Sequence, residues 1–265
     1  VITAQCGQVQ PAAKRASGPF LDKNAFRFCN PDSRLCAAST PIHLPVGTAC
    51  EPGSRVQRSP SMQHVVITGG SRGVGFALAG AFLELGCRVT LAGRSEGSTQ
   101  EACRRILAEQ PTAADRLSGC ACDVSNTSQL EALWAHAAAL APVDVWINNA
   151  GVSPSFGKLW ELSAEELRDT IDTNVNGVLL GSWVAIRGMR AQSRGTIYNI
   201  VGFGADGTTY PGTLAYGASK RAVAYVTKSL TQEAQGTPVR VCTLDPCAVR
   251  TEMTAITWGA LAAQK

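Results

Sequence analysis

Hydrophobic and polar positions follow two alternating periods from His64 onward. Short apolar runs, such as Val65, Val66 and Ile67, are typical of buried strands, and longer stretches with apolar residues three and four apart are typical of helices. Six strands are predicted in this way, each separated from the next by a helix. The strands are predicted at 65–67, 88–91, 117–122, 143–148, 195–201 and 239–244. The helices are predicted at 74–86, 98–110, 127–140, 163–190 and 213–234.

This alternation predicts an α/β fold, a doubly wound parallel sheet of the Rossmann type with helices on both faces. We assign residues 62–265 to this one domain. No internal repeat is visible, and no run of 18 apolar residues occurs, so a membrane-spanning helix is not predicted.

Residues 1–61 show neither period and are rich in Ala, Ser, Pro, Arg and Cys. They hold seven Lys/Arg and three Asp/Glu, a net charge of +4, whereas the other 204 residues hold 17 of each. The positive charge therefore belongs to this segment, and no nucleic-acid-binding face is predicted. The composition is typical of an organelle transit peptide followed by a linker, and the alternative is a disordered basic tail without a targeting role.

The ten cysteines do not form a metal-binding pattern. No CxxC pair occurs, Cys120 and Cys122 fall in a predicted strand, and the three histidines lie far from any candidate ligand set. We therefore predict no metal site and expect reduced, mostly buried thiols.

A glycine-rich turn joins the first predicted strand to the first predicted helix, over residues 68–75. Gly69 permits the tight turn, Gly73 leaves room for a pyrophosphate beside the backbone, and Gly75 lets the helix pack closely on the strand. Because the glycines lie between a strand and a helix, they predict a dinucleotide-binding site.

The end of the second strand indicates which dinucleotide is bound. An NAD site usually carries an acidic residue there, which binds the ribose 2′-hydroxyl. Here Gly93 and Arg94 take that place, and Arg72 adds a second cation from the glycine turn. Two guanidinium groups suit a 2′-phosphate, so NADP(H) is predicted. The alternative is that both arginines are solvated surface residues.

Tyr216 and Lys220 lie four residues apart in a predicted helix, so their side chains project from one face. A tyrosine alone has a pKa of about 10 and is a poor proton donor at neutral pH. A neighbouring lysine cation is expected to lower the pKa of Tyr216, which suits a general acid or base. The alternative is an ordinary pair of surface residues.

Asn174 falls within the long predicted helix that begins at Ser163, where Ser163 and Glu166 form a capping box. The residues expected on its buried face are Leu167, Ile171, Asn174 and Val178. A buried amide must be hydrogen-bonded, so Asn174 is either structural or a member of a proton relay.

Over residues 64–253 the sequence resembles the short-chain dehydrogenase/reductase family. The motifs that carry this resemblance are, in chain order, TGxxxGxG from Thr68 to Gly75, Asp123 with Val124, NNAG from Asn148 to Gly151, YxxxK from Tyr216 to Lys220, and a PGxVxT-like segment from Pro246 to Thr251.

The resemblance implies a role for each matching residue. Asp123 and Val124 would contact the adenine, and Thr251 the nicotinamide carboxamide. The implied catalytic residues are Tyr216, Lys220 and Asn174, the last holding a water linked to the lysine. The implied cofactor contacts are Thr68, Gly69, Ser71, Arg72, Gly73, Val74, Gly75, Arg94, Asp123, Val124, Asn149, Ala150, Gly151, Tyr216, Lys220, Pro246, Val249 and Thr251.

Two departures from the family pattern change these expectations. The family places a serine after the Asn-Ile of the fifth strand to hold the substrate carbonyl, whereas this chain has Gly202 there, with Thr208 or Thr209 as alternative donors. The family also continues into substrate-covering helices and a seventh strand, so we expect a chain that ends at Lys265 to be C-terminally incomplete. Likewise, a chain beginning at Val1 lacks its initiator Met.

Within the family, the sequence resembles the soluble form of the plastid chlorophyll(ide) b reductases. The residues concerned are 143–151, 192–195, 205–207, 216–221 and the glycine at 202. This resemblance implies NADPH-dependent reduction of the 7-formyl group of a large, apolar pigment, in chlorophyll breakdown. It also implies a chloroplast location with peripheral thylakoid association and a hetero-oligomer with a membrane-spanning paralogue.

Two other functions stay open from the sequence. One is a different plastid short-chain reductase acting on a lipid or a small ketone. The other is a noncatalytic NADP(H)-binding subunit of a paralogous reductase, which the absent serine and the missing C-terminal part of the substrate pocket would favour.

Overall fold

The structure is a computed structural model and describes residues 3–5, 62–246, 251 and 253. The predicted alternation of strands and helices is confirmed over residues 64–245. The strands are β1 (Thr3–Gln5), β2 (His64–Thr68), β3 (Arg88–Gly93), β4 (Leu117–Ala121), β5 (Val145–Asn148), β6 (Gly195–Ile200) and β7 (Val239–Asp245). The helices are α1 (Gly73–Glu84), α2 (Glu96–Glu109), α3 (Thr127–Leu140), α4 (Ala164–Ile171), α5 (Gly177–Ala191) and α6 (Leu214–Glu233).

The strands form one sheet in the order β1-β7-β6-β5-β2-β3-β4. Strands β2 to β7 are mutually parallel, which confirms the doubly wound Rossmann-type prediction. The chain winds outward from β2 through β3 to β4, and then from β5 through β6 to β7. The switch in direction lies between β2 and β5, and ligands of such sheets bind in the crevice at the carboxyl ends of these strands.

Strand β1 is not predicted from the sequence, in which residues 1–61 show no regular period. Thr3–Gln5 pairs antiparallel with β7, with Thr3 opposite Asp245. The rest of the predicted transit peptide and linker, and residues 254–265, lie outside the described residues.

Two apolar layers cover the two faces of the sheet. One joins β2 and β3 to α1 and α2, through residues such as Ile67, Phe82 and Leu91. The other joins β5 and β6 to α3 and α5, through residues such as Trp146 and Ile197. Because the central strands are buried on both faces, they read as continuous apolar runs in the sequence.

The long helix predicted at 163–190 contains an irregular turn. Helices α4 and α5 are joined by a π-helical segment, Asp172–Asn176. A π-turn adds one residue and so rotates the helix surface that follows it. As a result Asn174 and Val178 are buried as expected, whereas Ile171 is 42% exposed, which corrects its predicted place on the buried face. Thr170 is buried in its stead.

The described cysteines fall into two states. Cys87, Cys103, Cys120 and Cys122 are free, as expected for reduced thiols. Cys242 is disulfide-bonded, so the expectation is wrong for this residue. Among the helices of the described ranges, none is long and apolar enough to cross a membrane.

Candidate active site

The glycine turn packs directly against the loop that follows β5. Gly69 has φ +63°, and a Cβ at this position would lie 2.6 Å from Ala150 Cα. A Cβ on Gly75 would collide with the Asn149 side chain. Both glycines are therefore required by close contact, and this contact brings the first and third motifs of the sequence together at the switch point.

Hydrogen bonds fix this junction. Thr68 Oγ1 accepts from the backbone N–H groups of Asn149 (3.1 Å) and Ala150 (3.2 Å). In return, Asn149 Nδ2 donates to the carbonyls of Thr68 (2.9 Å) and Gly69 (3.0 Å). These four bonds join the glycine turn to the loop after β5 at the switch point of the sheet.

The end of β3 leaves no room for an acidic side chain. A Cβ on Gly93 would lie 2.6 Å from Thr99 Oγ1 and 3.2 Å from Ser71 Cβ. Arg72 and Arg94, which flank this contact, are both exposed. The end of β3 therefore carries a crowded glycine where NAD sites usually carry an acidic residue, with two exposed arginines next to it.

Other residues expected to contact the cofactor lie in different surroundings. Thr251 lies beside the glycine turn, with its Cγ2 3.5 Å from the position of a Cβ on Gly73. Asp123 accepts hydrogen bonds from the backbone N–H and the hydroxyl of Ser125 (2.9 and 2.7 Å). Val124 packs against Gly177 at the start of α5. Pro246 is buried after β7, and Val249 lies outside the described residues.

Lys220 is buried and lies beside Tyr216 on α6. Lys220 is 4% exposed, and its Nζ donates to the carbonyl of Ile200 at the end of β6 (3.0 Å). Nζ lies 5.7 Å from the centroid of the Tyr216 ring. The predicted pairing on one helical face is therefore observed, and both side chains face the carboxyl end of the sheet.

Asn174 connects this pair to the loop after β5. Its Oδ1 accepts from Val152 N–H (2.8 Å), and its Nδ2 donates to Val152 O (2.9 Å) and Ser219 Oγ (3.0 Å). A Cβ on Gly151 would lie 3.3 Å from Asn174 Oδ1 and 3.8 Å from Lys220 Nζ. Both amide protons of Asn174 are thus used within the protein, and the side chain fixes the loop against α6.

The capping box of α4 extends to this loop as well. Glu166 accepts from Ser163 N–H (2.9 Å) and also from Ser155 N–H (3.0 Å). Hydrogen bonds from Ser155 and Ser163 lower the pKa of Glu166 to about 2. The box therefore does more than begin a helix, because it also ties the 152–157 loop to it.

The expected effect of Lys220 on Tyr216 is not observed. Burial raises the pKa of Tyr216 to about 12, and the charge of Asp245 adds to the increase. Burial lowers the pKa of Lys220 to about 8, against an opposing effect of Asp245. The prediction is wrong in direction because removing water from the phenol disfavours its anion, while the lysine is bonded to the Ile200 carbonyl.

Gly202 lies next to the hydroxyl of Tyr216. A Cβ at Gly202 would lie 3.2 Å from Tyr216 Oη. The two proposed substitutes for the absent serine, Thr208 and Thr209, are exposed, and the N–H of Thr208 bonds to Asp206 (2.9 Å). Gly202 therefore lies beside Tyr216, where the family has its serine. Among the described residues, no contact places Thr208 or Thr209 in that position.

Large apolar side chains are exposed on the loops that follow β5 and β6 and at the start of α6, the helix that carries Tyr216. They come from two loops that touch, because the Phe156 ring lies against Gly212 and Gly157 N–H bonds to Gly212 O (3.4 Å). The exposed residues of these loops and of the start of α6 are Leu159 (45%), Trp160 (79%), Phe203 (46%), Tyr210 (48%) and Leu214 (57%). We call these five residues the apolar rim.

Sequence reasoning missed two residues of the site. Ser219 lies inside the YxxxK motif and bonds Asn174, and its buried position between Tyr216 and Lys220 could have indicated a role. Asp245 acts on both Tyr216 and Lys220, yet it lies 25 residues beyond the lysine, and its effect depends on how β7 packs under α6.

No metal site accompanies this arrangement among the described residues. Within these ranges, no group of three or more His, Cys, Asp or Glu side chains is positioned to hold a metal ion.

Comparisons with known proteins agree with this geometry. The family model described as short chain dehydrogenase matches residues 63–259. The chain is 37% identical over 207 residues to chlorophyll(ide) b reductase NOL, chloroplastic, of Arabidopsis thaliana. That alignment covers 76% of this chain and 58% of the relative, so the chain spans less than two thirds of the relative's length.

Solved structures share the fold and differ in the nicotinamide cofactor they hold. A 3-ketoacyl-(acyl-carrier-protein) reductase from Brucella melitensis, complexed with NADH, is 26% identical with a TM-score of 0.68, covering 75% of this chain and 80% of that one. A serine dehydrogenase complexed with NADP⁺ is 28% identical with a TM-score of 0.67, covering 76% of this chain and 79% of that one.

Proposed function

The chain belongs to the short-chain dehydrogenase/reductase family of oxidoreductases, and from this premise we propose that it is an NADPH-dependent carbonyl reductase. Its proposed substrate is chlorophyll b or chlorophyllide b, whose 7-formyl group is reduced to hydroxymethyl. The observation that carries the substrate class is the apolar rim, together with the absence of a side chain at Gly202 beside Tyr216 Oη.

The residues present fit NADPH. The glycine turn presents open backbone at the switch point, where a pyrophosphate binds at the beginning of α1. Arg72 and Arg94 would hold the 2′-phosphate, and the crowding at Gly93 leaves no place for a competing carboxylate. Thr251, beside Gly73, would contact the nicotinamide end. When bound, NADPH supplies the hydride of the reduction.

Tyr216 then supplies the proton. Burial raises the pKa of Tyr216 to about 12, so the phenol is protonated at neutral pH but is a weak acid, and its donation depends on stabilisation of the phenolate as it forms. As the carbonyl carbon gains the hydride, its oxygen becomes negative and accepts the Tyr216 proton. Lys220, held under the ring by Ile200 O, places a positive charge where the phenolate forms.

The substrate end supports a large, flat and apolar ligand. Trp160 and Tyr210 offer broad faces to such a molecule, and hydrophobic contact is the main source of affinity for it. Because Gly202 has no side chain, a bulky aldehyde can approach Tyr216 Oη without displacing one.

The location and partners follow from the same proposal. The Arabidopsis relative is named chloroplastic, so we place this chain in the chloroplast. A pigment substrate resides in the thylakoid membrane, so we propose peripheral association there and a hetero-oligomer with a membrane-spanning paralogue.

A direct assay tests the proposal. Full-length recombinant protein is mixed with chlorophyll b and NADPH, and the pigment's absorption spectrum is followed together with NADPH oxidation. The expected result is a spectral shift to the hydroxymethyl product at one NADPH per pigment. An unchanged spectrum alongside rapid reduction of a lipid aldehyde or small ketone would favour a different reductase of this family.

A second candidate function is a noncatalytic NADP(H)-binding subunit of a paralogous reductase. Gly202 favours it, because the usual second hydrogen-bond donor to the substrate is absent beside Tyr216. Protein that binds NADPH but reduces no carbonyl alone, and that raises the activity of an added paralogue, would establish this alternative.

A further inference from the structure

Asp245 is the last residue of β7 and lies at the edge of the site described above. We propose that its carboxylate is a positioning residue of the reductase, which acts through Lys220 and Tyr216 and holds the lysine in its cationic form beside the phenol. This inference rests on the proposed carbonyl reduction, and it assigns the site a third ionisable group that none of the family motifs contains.

The pairing of the last two strands places Asp245 beside the lysine's anchor. Ile200 lies opposite Leu244 in the parallel pair of β6 and β7, and Val201 N–H donates to Leu244 O (3.0 Å). The Ile200 carbonyl is the acceptor of Lys220 Nζ. Asp245 therefore follows directly on the strand position that neighbours the lysine's hydrogen-bond partner.

The alternation of side chains turns Asp245 toward α6. Leu244 belongs to the apolar layer on the α1 side, and Val241 and Val239 belong to the layer on the opposite side. Successive side chains of a strand point to opposite faces, so Asp245 shares the face of Val241. Helix α6 covers this face, since Thr231 Oγ1 donates to Val241 O (3.0 Å).

The relative lengths of helix and strand bring Asp245 level with the turn of α6 that carries Lys220. From Val241 to Asp245 the strand advances about 13 Å. From Thr231 back to Lys220 the helix advances about 16 Å in the same direction. Asp245 thus lies less than one helical turn from Lys220 along the axis of α6, with Tyr216 one turn further on.

The negative charge of Asp245 shifts the pKa of both neighbours in the same direction. A carboxylate near a phenol disfavours its anion, and near an ammonium it favours the cation. Accordingly, the charge of Asp245 raises the pKa of Tyr216 and raises that of Lys220. The effect on Lys220 favours the cation that stabilises the forming phenolate, whereas the effect on Tyr216 makes the phenol a weaker acid, so the carboxylate supports donation through the lysine.

Other ionisable groups of the surrounding elements have other partners or face elsewhere. Arg221 donates to Ala205 O (2.9 Å), and Tyr225 is 74% exposed. Asp172 accepts from Asn176 Nδ2 (2.8 Å) on an exposed part of the helix. Tyr198 of β6 packs in the apolar layer on the α1 side, and Arg240 of β7 bonds Thr196 Oγ1 (3.1 Å).

The test compares Asp245→Asn with the wild-type chain, both saturated with NADPH. Protein labelled with ¹³C at tyrosine Cζ is titrated by NMR, and the Tyr216 signal is assigned from its loss in Tyr216→Phe. We expect the Tyr216 titration to move to lower pH in Asp245→Asn, by on the order of one pH unit or less. The alkaline limb of turnover with chlorophyll b should move in the same direction.

Two variants control for structural effects. Asp245→Glu retains the charge and should restore the wild-type titration. Asp115→Asn removes an exposed acid beside β4, at the far edge of the sheet and about 24 Å from β7 by strand spacing, and should leave it unchanged. If Asp245→Asn does not fold, Asp245→Ser removes the same charge with a smaller side chain and carries the same expectation.

The outcomes separate this inference from the proposed function. A folded charge-removal variant whose Tyr216 titration matches the wild type would overturn the role of Asp245. If the titration moves as expected while the wild type leaves chlorophyll b unreduced, the proposed substrate fails and the role of Asp245 stands.

Discussion

The cofactor end and the substrate end of this site are built in different ways. At the cofactor end, glycine backbone, Thr68 and Asn149 are in close contact, and a single added Cβ would collide with a neighbouring backbone. At the substrate end, large side chains such as Trp160 and Leu214 stand exposed on loops and at a helix start. The first end is specified by backbone geometry and accepts one class of ligand, whereas the second is specified by apolar surface and can change its ligand through a few side chains.

The largest expected effect is on the chemical step, which needs both the cofactor end and the substrate end. Replacing Tyr216 with Phe removes the proton donor and should reduce kcat by about 100- to 10,000-fold, with NADPH affinity retained. Turnover is followed by pigment absorption, and NADPH binding by its fluorescence. Tyr225→Phe, on the same helix and 74% exposed, is the matched control and should behave as the wild type. Substantial activity in Tyr216→Phe would refute the assigned mechanism.

The next effect tests the rigidity of the cofactor end. Gly69→Ala places a Cβ 2.6 Å from Ala150 Cα at φ +63°, so urea unfolding should show a loss of about 1–3 kcal/mol together with weaker NADPH binding. Gly97→Ala in α2 is the control, because a Cβ there meets nothing within 4 Å. It should stabilise the helix by about 0.5–1 kcal/mol. Equal stability of the two variants would contradict the close-contact description.

A smaller effect concerns cofactor choice alone. Arg94→Ala should raise the Kd for NADPH by about tenfold to 100-fold, since one charge-assisted hydrogen bond to the 2′-phosphate is lost. The Kd for NADH should stay constant. Arg104→Ala removes an exposed arginine of α2, paired with Glu101, and serves as the control. A parallel loss of NADH binding would show that Arg94 supports the fold rather than the phosphate.

The smallest effect concerns the glycine that lies beside Tyr216 at the substrate end. Gly202→Ser adds a hydroxyl group, carried on a Cβ that would lie 3.2 Å from Tyr216 Oη. Activity on a small aldehyde should rise and activity on chlorophyll b should fall, each by about tenfold or less. Gly202→Ala adds the same Cβ without the donor, so it should lower pigment turnover and leave small-aldehyde turnover unimproved. If serine improves both substrates equally, space at position 202 does not select the substrate.

This contrast also explains what the sequence could predict. The glycine turn, the Asn149–Gly151 loop and the Tyr216–Lys220 pair were accessible because each is a local pattern whose geometry follows from its own residues. The approach of Gly202 to Tyr216, the direction of the Tyr216 pKa and the part played by Asp245 were not, because each depends on elements that meet only in the folded chain. Ile171 was misplaced because an α-helical period cannot anticipate a π-turn.

That π-turn, Asp172–Asn176, has a consequence for how this protein can change in evolution. The helix carries one residue more than regular α-helical hydrogen bonding requires, and such insertions are retained mainly where they serve a function. Deleting the extra residue would give a more regular helix, and it would turn Asn174 away from Val152 and Ser219. A shorter helix would therefore gain regular hydrogen bonding and lose the contacts through which Asn174 fixes the loop after β5 against α6, so this position exchanges helix regularity for the geometry of the site.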